Sequence, residues 1–265
     1  MEEVKSLMER ALAMAREKQN TASSTTETYK CPLCHDTGWV PCDDTYSAVY
    51  ECKCVKVRRS ERMLRDSGLA DSLADMTIDS FVTDTAYQRE MKAKAQQYIE
   101  EIISHSGKRL PWFYVGGNPG SGKTHICTAI CGALLHAGIS IKYMSWLNEA
   151  RRLKSLVNDP EYDSVLDEYV KYDVLYIDDL IKQRHTNGNT ECTPTEADMK
   201  IAFSIINARY VQNKALIVSS EWDLVDQLLP VDEATFSRVY ERSKGYNIFV
   251  PWDTRNNFRF RPTVN

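Results

Sequence analysis

Apolar residues recur three and four positions apart over residues 1–18, which predicts a helix with one apolar face. The residues on that face are Val4, Leu7, Met8, Ala11, Leu12 and Ala15. Residues 20–28 are rich in serine and threonine and have no periodicity, so we expect a linker there. The pattern therefore predicts an amphipathic helix and a linker over residues 1–28.

From about Thr77 onward, short apolar runs alternate with helical patterns. This alternation predicts an α/β fold, in which helices flank a parallel sheet. The predicted strands are Trp112–Val115, Ser140–Ser145, Val174–Ile177, Leu216–Ser219 and Tyr246–Val250.

One helix of this region carries a start signal in its sequence. Thr193-Pro194-Thr195-Glu196 reads as a capping box, with Pro194 at the first helical position. Ile201, Ile205 and Ile206 then fall on one face of the predicted helix.

A cysteine-rich segment separates the N-terminal helix from the α/β region, and a basic helical stretch, Lys56–Arg62, follows it. Residues Gly68–Ser72 are expected to break the chain before the next domain. The predicted division is therefore residues 1–28, a cysteine-rich module at 29–56, a basic helical linker at 57–76, and an α/β domain at 77–265.

Charge and composition narrow the classes of function. A net charge of −4 over 265 residues argues against a generally basic nucleic-acid coat but leaves room for a local basic channel. The chain has no apolar stretch of membrane-spanning length and no secretory signal, so we expect a cytoplasmic protein without a membrane partner. In that compartment, eight cysteines favour metal binding and buried thiols over disulfides.

A glycine-rich loop lies between a predicted strand and a predicted helix. Its residues are Gly117, Asn118, Pro119, Gly120, Ser121, Gly122, Lys123 and Thr124, followed by His125. Strand, loop and helix in this order form a phosphate-binding loop, whose backbone N–H groups close around phosphate oxygens. Lys123 is expected to reach the β- and γ-phosphates, and the Thr124 hydroxyl to ligate Mg²⁺. The loop therefore predicts binding of a nucleoside triphosphate.

The predicted strand Val174–Ile177 ends in two acids, Asp178 and Asp179. Ligands of open α/β sheets bind at the carboxyl ends of the strands, so both acids are expected beside the phosphates. We expect Asp178 to hold Mg²⁺ through its water shell and Asp179 to polarise the attacking water.

Two later segments supply further candidates. Ser220 and Glu221 follow another buried strand, where a side chain can sense the γ-phosphate or the strand can simply run into a turn. Arg238 and Arg242 lie four residues apart, hence on one helical face. Arg242 is the preferred arginine finger toward a neighbouring subunit's nucleotide, Arg238 the second choice. A surface arginine paired with a nearby acid is the alternative.

The cysteine-rich segment has the spacing of a structural zinc site. Its predicted ligands are Cys31, Cys34, Cys52 and Cys54, with Cys42 or His35 as substitutes for one of them. Four thiolates close the coordination sphere, so the metal is expected to stabilise folding. Disulfides and simple core cysteines are the alternatives, and Cys127, Cys131 and Cys192 are expected to be ordinary thiols.

Together, the cysteine module and the motifs GNPGSGKT, LYIDD, IVSSE and SRVYER, in that order, resemble bacterial and phage helicase loaders of the DnaC/DnaI type. These are AAA+ ATPases related to DnaA and to the IstB transposition helpers. The resemblance covers the region from about Thr77 to the end and, less specifically, the cysteine module. It implies an AAA+ ATPase domain with no C-terminal helical lid, and it places Arg255 near the nucleotide.

The resemblance also implies partners. In this family the N-terminal region grips a hexameric replicative helicase, and the ATPase domain binds single-stranded DNA and self-associates. By that analogy the apolar face of residues 1–18 docks into a groove of the helicase, although it could equally pack on the cysteine module. The segment Lys182–Asn189 either lines a DNA channel or is a surface loop.

The expected function is therefore ATP-dependent loading of a replicative helicase onto single-stranded DNA, with hydrolysis releasing the loader. An IstB-like ATPase helper of transposition is the nearest alternative, but it would not need the cysteine module. A P-loop kinase would require an acceptor pocket and a lid domain, and a degenerate ATPase would not keep Lys123, Thr124, Asp178 and Asp179 intact.

Overall fold

The computed structural model describes residues 29–42, 48–64, 70–104, 109–156, 159–181 and 194–260. The predicted N-terminal helix and linker, the segment Lys182–Asn189 and Cys192 lie outside these residues. The chain divides into two compact units between Arg59 and Ser60, whereas the sequence predicted boundaries after residues 56 and 76.

The first unit contains a short hairpin. Strand β1 (Trp39–Pro41) pairs antiparallel with β2 (Val49–Glu51), and helix α1 (Lys53–Leu64) begins two residues after β2. The predicted basic stretch falls inside α1, so its helical assignment is confirmed.

The second unit is built on a parallel sheet of five strands in the order β4-β5-β6-β3-β7. The strands are β3 (Phe113–Gly117), β4 (Ile141–Ser145), β5 (Val174–Asp178), β6 (Ala215–Ser219) and β7 (Asn247–Val250). Every predicted strand is confirmed within two residues of its predicted bounds. Strands β3, β5 and β6 are buried on both faces, which is why they read as continuous apolar runs.

Helices connect and cover the strands. They are α2 (Ala70–Asp75), α3 (Ala86–Ile103), α4 (Lys123–His136), α5 (Trp146–Ser155), α6 (Tyr162–Glu168), α7 (Glu196–Val211), α8 (Leu229–Val231) and α9 (Glu233–Ser243). A π-helical turn, Leu224–Leu228, precedes α8, and two 3₁₀ turns, Thr254–Asn256 and Phe258–Phe260, follow β7. In the described part of the chain, no helix has both the length and the apolar character that crossing a membrane requires. The predicted α/β fold class is confirmed.

Two local predictions need correction. Helix α7 is capped by Thr195, whose side chain accepts a hydrogen bond from the Asp198 N–H, so Pro194 precedes the cap instead of opening the helix. Thr195 can bond within its own turn, which makes it as good a cap as the predicted Thr193. The predicted break at Gly68–Ser72 overlaps the start of α2 at Ala70. The predicted apolar face of α7 is confirmed, because Ile201, Ile205 and Ile206 are buried.

A buried arginine ties the amino ends of two central strands together. Arg209 on α7 is fully buried. Its guanidinium donates to the backbone carbonyl oxygens of Tyr169 at 2.7 Å, Asp173 at 2.9 Å, Ala215 at 3.0 Å and Tyr172 at 3.3 Å. These carbonyls lie just before β5 and at the start of β6, so one side chain satisfies four acceptors at the amino edge of the sheet. No local pattern in the sequence distinguishes Arg209 from the surface arginines.

Candidate nucleotide-binding site

The phosphate-binding loop follows β3 directly and ends where α4 begins at Lys123. Gly117 has φ +105°, and a Cβ there would lie 2.0 Å from the Val250 carbonyl oxygen of the neighbouring strand. Gly122, immediately before α4, has φ +93°. Both positions need glycine, because left-handed backbone and close approach exclude a side chain. The loop thus brings backbone N–H groups to the N-terminus of a buried helix, where an anion is favoured.

Lys123 turns its ammonium group into this loop. Its Nζ donates to the carbonyl oxygens of Gly117 and Asn118, each at 2.8 Å. Burial lowers the pKa of Lys123 to about 8, although the negative charges of Asp179 and Glu221 act in the opposite direction. Burial disfavours the charged form of an ammonium whose hydrogen bonds go only to neutral carbonyls. An anionic ligand bound beside it would stabilise that charge.

A cavity of about 210 Å³ opens beside the loop. Its lining includes Pro119, Gly120, Gly122, Lys123, Thr124, His125, Asp179, Glu221, Met76 and Arg259. Residues predicted from three separate segments of the sequence therefore meet around one space. His125 is held by the Thr77 carbonyl at 3.2 Å, and burial lowers its pKa.

The two acids at the end of β5 take different positions. Asp178 accepts a hydrogen bond from the Thr124 hydroxyl at 3.3 Å, so the two predicted Mg²⁺ ligands are adjacent. Asp179 has left-handed backbone, with φ +55°, and lines the cavity. Oxygen donors are what Mg²⁺ prefers, so the Thr124 and Asp178 oxygens fit this ion.

Ser220 and Glu221, the two predicted sensor residues, point to different places. The Ser220 hydroxyl is fully buried and donates to the Leu180 carbonyl oxygen at 2.9 Å, which is a structural contact. Glu221 lines the cavity. Of the pair, Glu221 is the residue placed to respond to a bound ligand.

The arginine that lines the cavity is Arg259, and the predicted Arg255 does not line it. Arg255 is 88% exposed and pairs with Asp253 at 2.6 Å. Arg259 lies in the second 3₁₀ turn, which is anchored to the loop because the Phe258 N–H donates to the Gly120 carbonyl at 3.0 Å. The sequence carries three arginines after β7 and no local signal that selects Arg259.

Arg242, the predicted finger, lies at the opposite edge of the sheet. Its side chain is 7% exposed and donates to the Asn213 side-chain oxygen at 2.7 Å. The guanidinium lies 5.8 Å from the Trp112 ring centre and 5.3 Å from that of Tyr210, in cation–π geometry. Arg238, one turn earlier, is only half-buried and lies over the Phe203 and Tyr210 rings. Within this chain neither arginine reaches the cavity.

The four predicted zinc ligands lie together in the first unit. The Sγ atoms of Cys31, Cys34, Cys52 and Cys54 all lie within 4.8 Å of one another. The Cys31–Cys52 and Cys34–Cys54 sulfur distances are 3.8 and 3.4 Å. Zn–S bonds of about 2.3 Å in a tetrahedron require sulfur atoms about 3.8 Å apart, so this cluster fits zinc.

The two substitute ligands, Cys42 and His35, lie outside the cluster. Arg58 and Asp36 form hydrogen bonds with two of its cysteines. Cys42 is exposed, and His35 is exposed and stacked on Tyr29. An Arg58 Nη atom donates to Cys54 Sγ at 2.8 Å, which favours the thiolate that a metal needs. The Asp36 carboxylate accepts the Cys31 N–H at 2.9 Å and so fixes the turn that carries the first cysteine pair.

Loop, strand-end acids and cavity together define a P-loop nucleotide-binding protein. Residues 51–238 match the family of IstB-like ATP binding proteins, and the chain belongs to that family. The resemblance to DnaC/IstB-like AAA+ proteins is thereby confirmed.

Relatives extend over different shares of the chain. Protein YqaM of Bacillus subtilis is 30% identical over 213 residues, 79% of this chain and 65% of YqaM. Protein XkdC of the phage-like element PBSX, from the same organism, is 27% identical over 86% of this chain and 85% of its own length. The replicative helicase loader DnaC of Escherichia coli K12 is 24% identical over 47% of this chain and 50% of DnaC. The chain thus spans between half and two thirds of YqaM and DnaC.

Solved structures confirm the fold. A crystal structure of the DnaC helicase loader superposes with a TM-score of 0.52 at 18% identity, covering 69% of this chain and 99% of that one. AMPPCP-bound DnaA from Aquifex aeolicus gives a TM-score of 0.52 at 21% identity, covering 69% of this chain and 52% of DnaA. The second unit therefore has the AAA+ fold.

Proposed function

We propose that this protein is an ATPase that loads a replicative DNA helicase onto single-stranded DNA, with hydrolysis releasing the loader. The observation that carries the ATPase part is the single cavity shared by Lys123, Thr124, Asp179 and Glu221, with Asp178 beside it. The family membership and the match to the helicase loader DnaC support the loader part.

The reaction assigns a role to each group at the cavity. Lys123 neutralises the β- and γ-phosphates, and the loop N–H groups and the α4 N-terminus hold their oxygens. Thr124 and Asp178 would hold Mg²⁺, which would neutralise charge that develops on the phosphates. Asp179 accepts a proton from the attacking water, and Glu221 responds to the loss of the γ-phosphate.

Assembly of several chains completes the proposed switch. An arginine of one chain stabilises the charge on the γ-phosphate bound by its neighbour, which makes hydrolysis depend on self-association. Arg242 would have to leave the Trp112 and Tyr210 rings to do so. Arg238 is more exposed and is the easier of the two to extend.

The cysteine module is proposed to hold one structural Zn²⁺ through Cys31, Cys34, Cys52 and Cys54. Replacing Cys31 and Cys34 by serine is expected to reduce the zinc content from one ion per chain to none, measured by atomic absorption. Cys42→Ser is the matched control, because its thiol is exposed and lies outside the cluster. Loss of zinc from Cys42→Ser would instead assign that thiol as a ligand.

A second candidate function is ATP-dependent help in DNA transposition. It is favoured by the family match and by a 26% identical relative in Sinorhizobium fredii, a putative insertion sequence ATP-binding protein that aligns with 63% of this chain. The cysteine module favours the loader, because a transposition helper does not need it.

Co-elution of the purified chain with its host's replicative helicase tests the two functions against each other. We expect co-elution with Mg²⁺–ATP and its loss in Lys123→Ala, because that variant cannot bind the nucleotide. A helicase that fails to bind a chain with measurable ATPase activity would favour the transposition function, and full ATPase activity in Lys123→Ala would overturn the site itself.

A further inference from the structure

Four hydroxyl groups surround the carboxylate of Asp178. Its Oδ1 atom accepts hydrogen bonds from Ser219 at 2.6 Å, Tyr176 at 2.7 Å and Thr124 at 3.3 Å. Its Oδ2 atom accepts one from Tyr143 at 3.1 Å. We call Tyr143, Tyr176 and Ser219 the hydroxyl cage. The donors come from β4, β5, β6 and α4, so only the assembled sheet creates this arrangement.

The sheet register explains why these side chains meet. Tyr176 and Asp178 are two residues apart on β5 and therefore project from the same face. Tyr143 lies directly opposite Tyr176 in the parallel pairing of β4 and β5, and the two rings meet edge to face at 5.5 Å. Ser219 ends the strand on the other side of β5.

Ser219 connects both acids of the site. Its hydroxyl donates to Asp178 and accepts a hydrogen bond from the Asp179 N–H at 3.0 Å. Asp179 has left-handed backbone at this point, so the Ser219 contact also holds the strained residue that carries the proposed water-activating carboxylate.

The four bonds are not equivalent. The Thr124 bond is the longest, and Thr124 is the residue whose hydroxyl oxygen is needed for Mg²⁺. If Thr124 turned to the ion, the short bonds from Ser219 and Tyr176 and the bond from Tyr143 would still fix the carboxylate. A carboxylate held in this way presents its remaining lone pairs in one direction, as metal ligands generally require.

We propose that Tyr143, Tyr176 and Ser219 are positioning residues that hold Asp178 in the orientation needed for Mg²⁺. This inference rests on the proposed nucleotide-binding function and adds three residues to it. They bond to Asp178, and none of the three is among the residues that line the cavity. Their removal should therefore weaken Mg²⁺ binding and leave Mg²⁺-free nucleotide binding unchanged.

Tyr176→Phe tests the cage, with Tyr114→Phe as its matched control. Tyr114 is also a buried tyrosine on a central strand, but its hydroxyl donates to the Trp222 carbonyl at 2.8 Å, away from the acids. The affinity for a fluorescent ATP analogue is measured with EDTA and across a Mg²⁺ titration. We expect Tyr176→Phe to raise the half-saturating Mg²⁺ concentration about tenfold, and Tyr114→Phe to change it less than twofold.

A serine pair gives an independent second test. Ser219→Ala removes a cage hydroxyl, whereas Ser220→Ala removes the neighbouring hydroxyl that bonds to Leu180. Ser219→Ala is expected to raise the Mg²⁺ requirement and Ser220→Ala to leave it unchanged, and Ser219→Thr should restore it. Equal Mg²⁺ requirements within both pairs would overturn the cage. A wild-type chain that binds no nucleotide would overturn the proposed function itself.

Discussion

The two edges of the parallel sheet each bury a cation, and they use it differently. At the carboxyl edge, Lys123 is 6% exposed and bonded to two loop carbonyls. At the amino edge, Arg209 is fully buried and bonded to four carbonyls. Both are desolvated, and burial lowers the pKa of each.

The difference lies in what each cation faces. Lys123 borders a cavity with two acids and a second cation, so an anionic ligand can replace its carbonyl partners. Arg209 has protein carbonyls on every side that its donors reach, and these contacts hold the sheet together. A buried cation is therefore a ligand group where space adjoins it and a structural group where none does.

Among the variants that test this comparison, Arg209→Met is expected to have the largest effect. The variant leaves four carbonyl oxygens without their donor, and we expect a loss of about 4 kcal/mol of unfolding free energy, measured by urea denaturation. Arg151→Met is the control, because Arg151 lies exposed on α5. A stability loss no larger than that of the control would mean that Arg209 does not hold the amino edge.

The pH dependence of ATP binding tests the role of Lys123 at the carboxyl edge. Above a pKa of about 8 the free protein loses the Lys123 ammonium, so ATP affinity should fall about 30-fold between pH 7 and pH 9.5. The folding stability of the nucleotide-free protein changes in the opposite direction. Between about pH 8 and pH 10.5 the Lys123 side chain is more protonated in the unfolded chain than in the folded one. Its contribution to the unfolding free energy therefore rises with pH.

Titration calorimetry across this pH range checks the effect on affinity. A Lys123→Arg variant that still binds ATP should lose the pH dependence, because guanidinium keeps its proton. An unchanged affinity between pH 7 and pH 9.5 in the wild-type chain would show that Lys123 is not the titrating ligand group.

Arg259 and Arg255 offer a smaller test at the carboxyl edge. Arg259→Ala is expected to weaken ATP binding about tenfold, because it removes a cation that lines the cavity. Arg255→Ala should change the affinity less than twofold, since Arg255 is exposed and paired with Asp253. If Arg255→Ala weakened ATP binding more than Arg259→Ala, Arg255 would be the arginine near the nucleotide, as the sequence predicted.

Arg242 lies at the amino edge of the sheet, and its replacement is expected to have the smallest effect of the variants described. Arg242→Gln should cost about 1 kcal/mol of unfolding free energy, because it loses the Trp112 and Tyr210 ring contacts. Its ATP affinity should stay unchanged, and Arg238→Gln should alter stability less. The rate of ATP hydrolysis is also measured against protein concentration. If Arg242→Gln abolishes the concentration-dependent part of this rate and Arg238→Gln does not, Arg242 is the arginine finger. It would then have to leave its buried position when chains assemble.

The part of the site that the sequence predicted is the part encoded in contiguous residues. The loop Gly117–Thr124 and the acids Asp178 and Asp179 follow apolar strands whose pattern is local, so their places in the sheet could be foreseen. The cysteine spacing likewise predicted the four clustered thiols. The predicted start of α7 was wrong by two residues, because Thr195 caps the helix and a local pattern does not choose between two nearby threonines.

Other functional assignments depend on which distant residues meet. Arg259 is separated from Lys123 by more than half the chain, and the cage hydroxyls come from three different strands. Nothing in the sequence near Arg242 or Arg209 distinguishes a structural arginine from one that faces a ligand. These distinctions depend on burial and on cavities, which a linear pattern does not contain.

By itself, the sequence determined the α/β class, the nucleotide loop, the strand-end acids and the thiol set, because backbone periodicity and short motifs specify local geometry. Only the tertiary structure selected Arg259 over Arg255, separated Glu221 from Ser220, and placed the hydroxyl cage around Asp178. It did so because strand order and register decide which side chains share one space, and long-range packing decides which of them remain open to a ligand.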